Sequence, residues 1–346
     1  MTLPLYQRIS DDLKKKIVSG YFQVGDQLPT EKELSESYSV SRITAKRALN
    51  DLEHLGLVSR TRGKGTFVQS PHKQKNHSSK RILFVIPFEG IYLGNFNQGL
   101  VPNLNNSNTT VFITDTSYLK ENIAADIIEN FDGLIYYPLS TSQYLDILLE
   151  LSLQHFPVVL LDKQIYDFQF PCVSSDNFNG GEQATQALLE LGHQRIAFLA
   201  SNEEHHPHTT RNRYLGYLKA LNEYHIPFHT TLDNALYTED SVLELVCEQN
   251  VTGLVCENDL VALQAMKILQ DNNFSIPNDL SIIGFDDIQA ASLSNPPLTT
   301  VAQDFFGMGQ VAGQLLLDWI QTGKRPNDVK VPVHLVKRKT LKEYTI

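Results

Sequence analysis

Two groups of polar residues in this chain of 346 have the types and the spacing to bind other molecules. The first lies in residues 41–47, SRITAKR, where Arg42 and Lys46 are four residues apart and Thr44 lies between them. Residues four apart share one face of a helix, so this face would carry two cations beside hydroxyl groups. Such a face binds phosphates and base edges, although a solvated basic helix is the common alternative.

The second group consists of polar residues that each directly follow an apolar run: Asp162, Asn258 and Asp286. In a parallel sheet the carboxyl ends of the strands meet at one edge, where α/β proteins bind ligands. Carboxylates and amides placed there can bind the paired hydroxyls of a sugar. Alternatives stay open: Asp162 could be an ordinary loop carboxylate, Asp286 could cap a helix, and for Asp259 capping and ligand contact are equally supported.

The first group belongs to a series of short helical patterns. Apolar residues recur at helical spacing in residues 6–17, and Thr30 with Glu33 has the spacing of a capping box at the start of a second helix. A tight turn at residues 39–41 leads into a third helix. Three helices with a tight turn before the last one predict a helix-turn-helix.

The third helix and the segment after it complete this pattern. The third helix has a periodic series of apolar residues, Ile43, Leu49, Leu52 and Leu55. On this helix Ala48, Leu49 and Leu52 can turn inward. Two β-prone runs follow in residues 57–68, around the basic, glycine-flanked tip at residues 62–65. These runs predict a β-hairpin, or wing.

Charge is distributed unevenly along the chain. Residues 1–81 hold 15 Lys and Arg against 8 Asp and Glu, a net of +7, whereas the whole chain has a net charge of -10. A basic module joined to an acidic one is typical of nucleic-acid-binding proteins. Residues 70–80, SPHKQKNHSSK, contain no apolar residue and predict a linker. We therefore expect a DNA-binding domain in residues 1–69, a linker in 70–80 and a further domain in 81–346.

Beyond the linker, apolar runs alternate with helical patterns. Predicted strands lie at residues 82–86, 133–137, 157–161, 196–200, 253–256 and 280–285. This alternation predicts parallel sheets with βαβ crossovers, and the length of the segment predicts two lobes with a cleft between them. The expected fold is thus multidomain, an α+β winged helix-turn-helix followed by a two-lobed α/β domain.

Residues 4–69 resemble the winged helix of the GntR family of bacterial regulators. The matching residues are Leu28-Pro29 with Glu31 and Leu34, Val40-Ser41-Arg42, Ala48-Leu49, Gly56-Leu57, and Gly63, Gly65, Thr66, Phe67 and Val68. The resemblance implies that operator DNA is contacted by Lys32, Arg42, Thr44, Lys46 and Gly63. Ser41 in the turn and Arg62 and Lys64 in the basic hairpin are further candidates for DNA contact. Lys32 and Lys46 stand where the family usually has Arg. Because lysine lacks the bidentate fork for guanine, we expect Arg42 to contact a base and Lys46 a phosphate.

The acidic portion, from about residue 80 onward, resembles the effector half of the LacI/GalR family, which has the fold of periplasmic sugar-binding proteins. The matching segments include Asp176-Asn177, Leu191 to Ile196, Arg213 with Gly216-Tyr217, Asn258-Asp259, Ile283 to Asp287, and Pro297 to Val301, with Gly180-Gly181 opening a helix. The resemblance implies a small carbohydrate as effector. The resemblance adds Arg213 and Gln303 to the strand-end candidates Asp162, Asn258 and Asp286, with weaker assignments for Phe88, Glu89 and Tyr92.

Other residues that could carry chemistry have simpler interpretations. Cys172, Cys247 and Cys256 form no C-x-x-C pair and are predicted to be small buried residues. The histidines at 205, 206 and 208 are predicted to lie in an exposed loop, and no metal is expected. The chain has no G-x-S-x-G elbow and no G-x-G-x-x-G phrase, so we expect neither an enzyme nor a cofactor.

No apolar run approaches the ~18 residues of a membrane span. The polar start of the chain predicts no signal peptide, so we expect the protein in the cytoplasm and no membrane partner.

These features together predict a ligand-responsive transcription regulator that binds operator DNA as a homodimer. The leading hypothesis is a repressor released by a small sugar, with L-arabinose as the first candidate by analogy. Another pentose, a hexose or a glycoside is nearly as well supported, as is a ligand that acts as co-repressor or activator. A sugar-processing enzyme with a DNA-binding head is the disfavoured alternative of a different class.

Overall fold

The computed structural model describes residues 4–18, 20–54, 57–61, 64–68, 79–87, 95–105, 108–165, 168–201, 206–234 and 237–344. Several residues named above lie outside these ranges: Leu55, Gly56, Arg62, Gly63, linker residues 70–78, Phe88, Glu89, Tyr92 and His205.

The N-terminal head has three helices and a two-stranded hairpin: α1 Leu5–Val18, α2 Glu31–Ser37, α3 Arg42–His54, β1 Val58–Thr61 and β2 Gly65–Val68. The predicted capping box starts α2, because the Thr30 hydroxyl accepts a bond from the Glu33 amide at 3.3 Å and the Glu33 carboxylate accepts one from the Thr30 amide at 2.7 Å. Each contact satisfies a backbone N–H that the first helical turn leaves unpaired. The helix-turn-helix prediction is confirmed.

The helices of the head enclose a small apolar core. Ile9 and Leu13 on α1 pack against Leu49 and Leu52 on α3, and all four side chains are at most 1 % exposed. Ile43 belongs to the same apolar series of α3 but does not face this core. This side chain is 81 % exposed, because it lies on the opposite side of α3 from Leu52.

The remaining residues form two lobes built from α/β units. Their elements are β3 Lys80–Val85, α4 Phe96–Asn105, β4 Thr109–Thr114, α5 Ser117–Glu121, α6 Ala124–Asn130, β5 Gly133–Tyr136, α7 Leu145–Leu153, β6 Val158–Leu161, β7 Cys172–Ser175, α8 Asn177–Glu190, β8 Ile196–Leu199, α9 His208–Glu223, a 3-10 turn Leu232–Asn234, α10 Glu239–Cys247, β9 Gly253–Cys256, α11 Asp259–Asp271, β10 Ser281–Asp286, α12 Gln289–Leu293, β11 Thr299–Ala302, α13 Phe305–Thr322, β12 Val329–Val331 and β13 His334–Val336. Lys80, placed in the predicted linker, is the first residue of β3.

Each lobe is centred on one sheet. Lobe 1 has the strand order β12-β7-β6-β5-β3-β4, with every pairing parallel. Lobe 2 has the order β13-β11-β10-β9-β8, parallel except for β13 at its edge. Apolar residues of the central strands are buried against helices on both faces, as parallel sheets require.

The chain passes between the lobes three times. It leaves lobe 1 after β7, returns after β11 so that α13 packs on lobe 1, and crosses again between β12 and β13. Two of these crossings touch, because the Asp176 amide donates to the Val331 carbonyl at 2.8 Å. The two lobes therefore share a connected base beneath the cleft.

Some predictions for this region need correction. Cys172 and Cys256 are buried as expected, but Cys247 is exposed at the end of α10. Gly180 and Gly181 do not open a helix, since α8 begins at Asn177. They lie inside it, where a side chain on Gly181 would come within 2.0 Å of the Arg213 carbonyl oxygen. None of the described helices is both long enough and apolar enough to span a membrane.

Candidate DNA interface and effector cleft

The outward face of α3 carries the predicted DNA-contacting residues. Arg42 and Lys46 are exposed on it, and so are Lys32 on α2 and Lys64 at the described edge of the wing. The Ser41 and Thr44 hydroxyls lie 2.8 Å apart, and the Ser41 hydroxyl accepts a bond from the Thr44 amide at 3.2 Å, which starts the helix. No acidic side chain occupies the first turn of α3, so the positive end of its dipole is uncompensated.

Two residues that the sequence did not single out fix this face. The Arg60 guanidinium on β1 lies 3.4 Å from the Glu31 carboxylate of α2 and donates to the Lys46 carbonyl of α3 at 3.4 Å. The Gln27 amide donates to the Lys64 carbonyl at 3.2 Å, beneath the hairpin. Both contacts join elements distant in sequence, so local periodicity contained no signal for them.

On the lobe 1 side of the cleft, Asp162 follows β6. It is 5 % exposed and has a φ of 63°, a left-handed backbone that turns the chain sharply at the strand end. Its Oδ2 accepts a hydrogen bond from the Tyr137 hydroxyl at 3.4 Å. Burial, together with the carboxylates of Asp162 and Asp286, raises the pKa of Tyr137 well above its ordinary value. Tyr137 is therefore a hydrogen-bond donor at neutral pH.

On the lobe 2 side, Arg213 of α9 lies at the centre of the cleft. It is 6 % exposed, donates from Nε to the Asn177 side-chain oxygen at 2.8 Å and donates from Nη1 to the Glu257 carbonyl. The same Nη1 lies 3.5 Å from Asp286 Oδ1, and the guanidinium carbon is 3.7 Å from the centroid of the Phe285 ring. A buried guanidinium needs partners of this kind to offset its lost hydration.

Asp286 and Gln303 meet at the base of the cleft. The Gln303 side-chain amide donates to Asp286 Oδ1 at 2.5 Å. Burial raises the pKa of Asp286 to about 6, an effect that the Arg213 guanidinium opposes and the Asp162 carboxylate reinforces. Because Asp162 belongs to lobe 1 and Asp286 to lobe 2, the two lobes present carboxylates toward one another.

The three residues that follow β9 make different contacts. Asn258 caps α11, since its side-chain oxygen accepts a bond from the Val261 amide at 2.9 Å. Asp259 is fully buried and accepts bonds from the Ile288 amide at 2.9 Å and the Thr300 hydroxyl at 2.5 Å, which makes it structural. Glu257, which the sequence pattern did not single out, accepts bonds from the Ser201 amide and the Thr210 hydroxyl near Arg213.

Two histidines have structural surroundings. His193 contacts the Thr252 and Ser281 hydroxyls at 2.9 and 3.1 Å, which gives it a structural hydrogen-bonding role. The exposed-loop prediction is wrong for His208, which is buried as the first residue of α9. Its Nδ1 accepts a bond from the Gln164 amide at 3.3 Å, a direct contact between the lobes. Burial lowers the pKa of His208, which keeps this acceptor available at neutral pH.

The structure thus brings four of the predicted ligand residues together: Asp162, Arg213, Asp286 and Gln303. It adds Tyr137, Asn177 and Glu257 to them. Tyr137 and Glu257 directly follow buried strands, so the strand-end argument that selected Asp162 could have found both. Asn177 could be recognised only from the family pattern. Its partner Arg213 is 36 residues away in the chain, so no local spacing connects the two.

These two sites define a class of protein, a DNA-binding head joined to a two-lobed ligand-binding domain. Residues 5–68 match the model of the bacterial regulatory proteins of the gntR family, and residues 185–341 match that of the periplasmic binding protein-like domain. The chain is 27 % identical to an arabinose metabolism transcriptional repressor of Geobacillus stearothermophilus, with 99 % of both chains covered.

Two further relatives agree. A probable HTH-type transcriptional regulator, EndR of Paenibacillus polymyxa, is 30 % identical over 65 % of this chain and 68 % of its own. A crystal structure of a LacI family transcriptional regulator from Enterococcus faecium with bound ribose superposes with a TM-score of 0.62 and 28 % identity, covering 77 % of this chain and 100 % of that one. The chain belongs to the HTH-type transcriptional regulators that join a gntR-family DNA-binding domain to a periplasmic-binding-protein-like domain.

Proposed function

We propose that this regulator is a repressor that a small sugar releases from its operator, and that the sugar binds between the two lobes. One observation carries the proposal. Among the residues that the structure describes, Asp162 Oδ1 and Gln303 Oε1 are buried acceptors without a hydrogen-bond partner, and they belong to the same cleft. Buried polar atoms are normally satisfied, so unpaired acceptors beside a buried arginine suit a ligand rich in hydroxyls.

The chemistry of the cleft favours a neutral, polyhydroxylated ligand. Asp162 and Asp286 can accept bonds from vicinal hydroxyls, whereas Arg213 and Tyr137 can donate to ring or hydroxyl oxygens. The aromatic rings of Tyr137 and Phe305 offer an apolar wall for a sugar face, and both pack on the buried Phe96 ring with centroids 5.6 and 5.0 Å from it. The arabinose and ribose named for the relatives support a pentose, and L-arabinose is our first candidate.

Release requires that the sugar bind one arrangement of the lobes more tightly than the other. A shift from mostly bound to mostly released DNA needs about 5 kcal/mol of differential affinity. Residues from both lobes face the ligand, so its binding would favour the closed arrangement. In a homodimer this change would alter the spacing of two heads on an approximately palindromic operator in the cytoplasm.

The test combines an operator gel shift with thermal denaturation of the full chain across a panel of L-arabinose, D-ribose, D-xylose, D-glucose and cellobiose. We expect one sugar to weaken the DNA complex and to raise the unfolding temperature. Asp286→Ala should abolish both responses, whereas Asp271→Ala, which removes an exposed carboxylate of lobe 2, should leave both intact. A sugar that strengthens the DNA complex would instead establish a co-repressor, and an unchanged response in Asp286→Ala would refute the site.

A further inference from the structure

The outward face of α3 contains one apolar side chain among its polar residues. Ile43 is 81 % exposed, the largest exposed fraction among the large apolar side chains of the described residues. An exposed β-branched side chain contributes little to the stability of a helix. It also orders the water around it, which costs entropy. Its position therefore calls for a contact outside the head.

Helical geometry places Ile43 within the cationic face. At 100° per residue, Lys46 and Arg47 lie about 60° and 40° from Ile43 around the axis, one turn further along. Arg42 precedes it directly, and all three cations are exposed. Three cations next to Ile43 disfavour an apolar protein partner and favour the polyanionic surface of DNA.

The surrounding polar groups are held in place. The Ser41 and Thr44 hydroxyls contact each other, and the Arg47 guanidinium stacks 3.9 Å above the Tyr6 ring. Ile43 is the second residue of α3, and the first residues of a recognition helix are those that reach base edges in the major groove. The only apolar group displayed there by a base is the C5 methyl of thymine.

We infer that Ile43 is a specificity-determining residue that contacts a thymine methyl group in each half-site of the operator. The inference rests on the proposed operator binding but not on the identity of the sugar. It assigns a hydrophobic contact to the position beside Arg42, so that the first turn of α3 recognises a base pair by hydrogen bonding and a neighbouring one by its methyl group.

The experiment uses a double-stranded operator that the full-length chain selects from random DNA. Each thymine is replaced in turn by deoxyuridine, which pairs identically and lacks only the methyl group. We expect the replacement at one position in each half-site to weaken binding of the unmodified protein about fourfold, which is the effect of losing one buried methyl group. Ile43→Ala removes the contact from both half-sites of the dimer, so it should bind the thymine operator about sixteenfold more weakly and show no further loss with deoxyuridine.

Two variants distinguish this contact from other causes. Ile43→Val retains a branched side chain and should keep its sensitivity to deoxyuridine, whereas Lys46→Ala should weaken binding to both operators by the same factor. Ile43→Ala should also unfold at the temperature of the unmodified protein, because Ile43 lies outside the core.

The inference is overturned if no deoxyuridine lowers affinity, or if Ile43→Ala remains as sensitive as the unmodified protein. Failure to select any DNA sequence would instead overturn operator binding itself, and the assignment of Ile43 with it.

Discussion

Arg42 and Arg213 are the same residue type in opposite surroundings. Arg42 extends into solvent from the first turn of α3, whereas Arg213 is 6 % exposed and contacts Asn177, Glu257 and Asp286. An exposed cation can be removed without disturbing the fold, but a buried one leaves its partners unpaired. In the head, a residue that contacts DNA can therefore be removed without loss of stability. In the cleft, the residues proposed to bind the ligand also stabilise the fold.

The sharpest test of this contrast is Arg213→Met. We expect it to destabilise the protein by about 3–5 kcal/mol, because Asp286 and the Glu257 carbonyl lose a buried partner. Urea unfolding measures the change. Lys219→Met, on the same helix but pairing at the surface with Glu182 and Glu223, should cost far less, because solvent screens an exposed ion pair. Equal losses in the two variants would remove the distinction.

The opposite pattern is expected for Arg42→Ala. It should leave the unfolding free energy unchanged and cost about 1–3 kcal/mol of operator affinity per half-site, because a base contact is lost. The loss should also relax the preference for the operator sequence. Fluorescence anisotropy on operator and random DNA measures both effects. Lys64→Ala, at the wing, should weaken binding to the two DNAs equally. If Arg42→Ala also weakened binding to the two DNAs equally, Arg42 would be reassigned to a phosphate contact.

The smallest effect concerns the dependence of stability on pH. Burial raises the pKa of Asp259 to about 8, so the folded state holds this proton more tightly than the unfolded state does. Stability from this group is complete below about pH 4 and is lost as the pH rises toward 8, by about 1.4 kcal/mol per unit.

The measurement compares unfolding free energies at pH 6 and pH 7 for the unmodified protein and for Asp259→Asn. The decrease should be smaller in the variant by about 1.3 kcal/mol. Parallel decreases would show that Asp259 does not titrate in this range. Unfolding of the head should not contribute to this difference, because Asp259 is buried entirely within lobe 2.

The head was the more predictable region because its determinants are local. The Thr30 and Glu33 capping box, the apolar spacing of α1 and the hairpin all depend on residues close in sequence. Ile43 shows the limit of that reasoning, because the apolar series of α3 includes it although its angular position on the helix leaves it exposed.

The cleft was predictable only where a strand end coincided with a polar residue. That rule found Asp162 and Asp286, but the capping bond of Asn258 and the burial of His208 depend on how distant elements pack. Arg213 and Gln303 were assigned from the family resemblance, since no local pattern connects them to Asp286. Their contacts with it span 73 and 17 residues respectively, which periodicity does not encode.

The three crossings between the lobes also bear on how the protein is made. The core of lobe 1 includes Met308, Ala312 and Leu316 of α13, and its outermost strand β12 is Val329–Val331. Lobe 1 therefore cannot be completed on the ribosome until nearly the whole chain has emerged, although most of its strands are translated early. The head needs only the first 68 residues and, as domains generally fold in the order of synthesis, can be ready before either lobe.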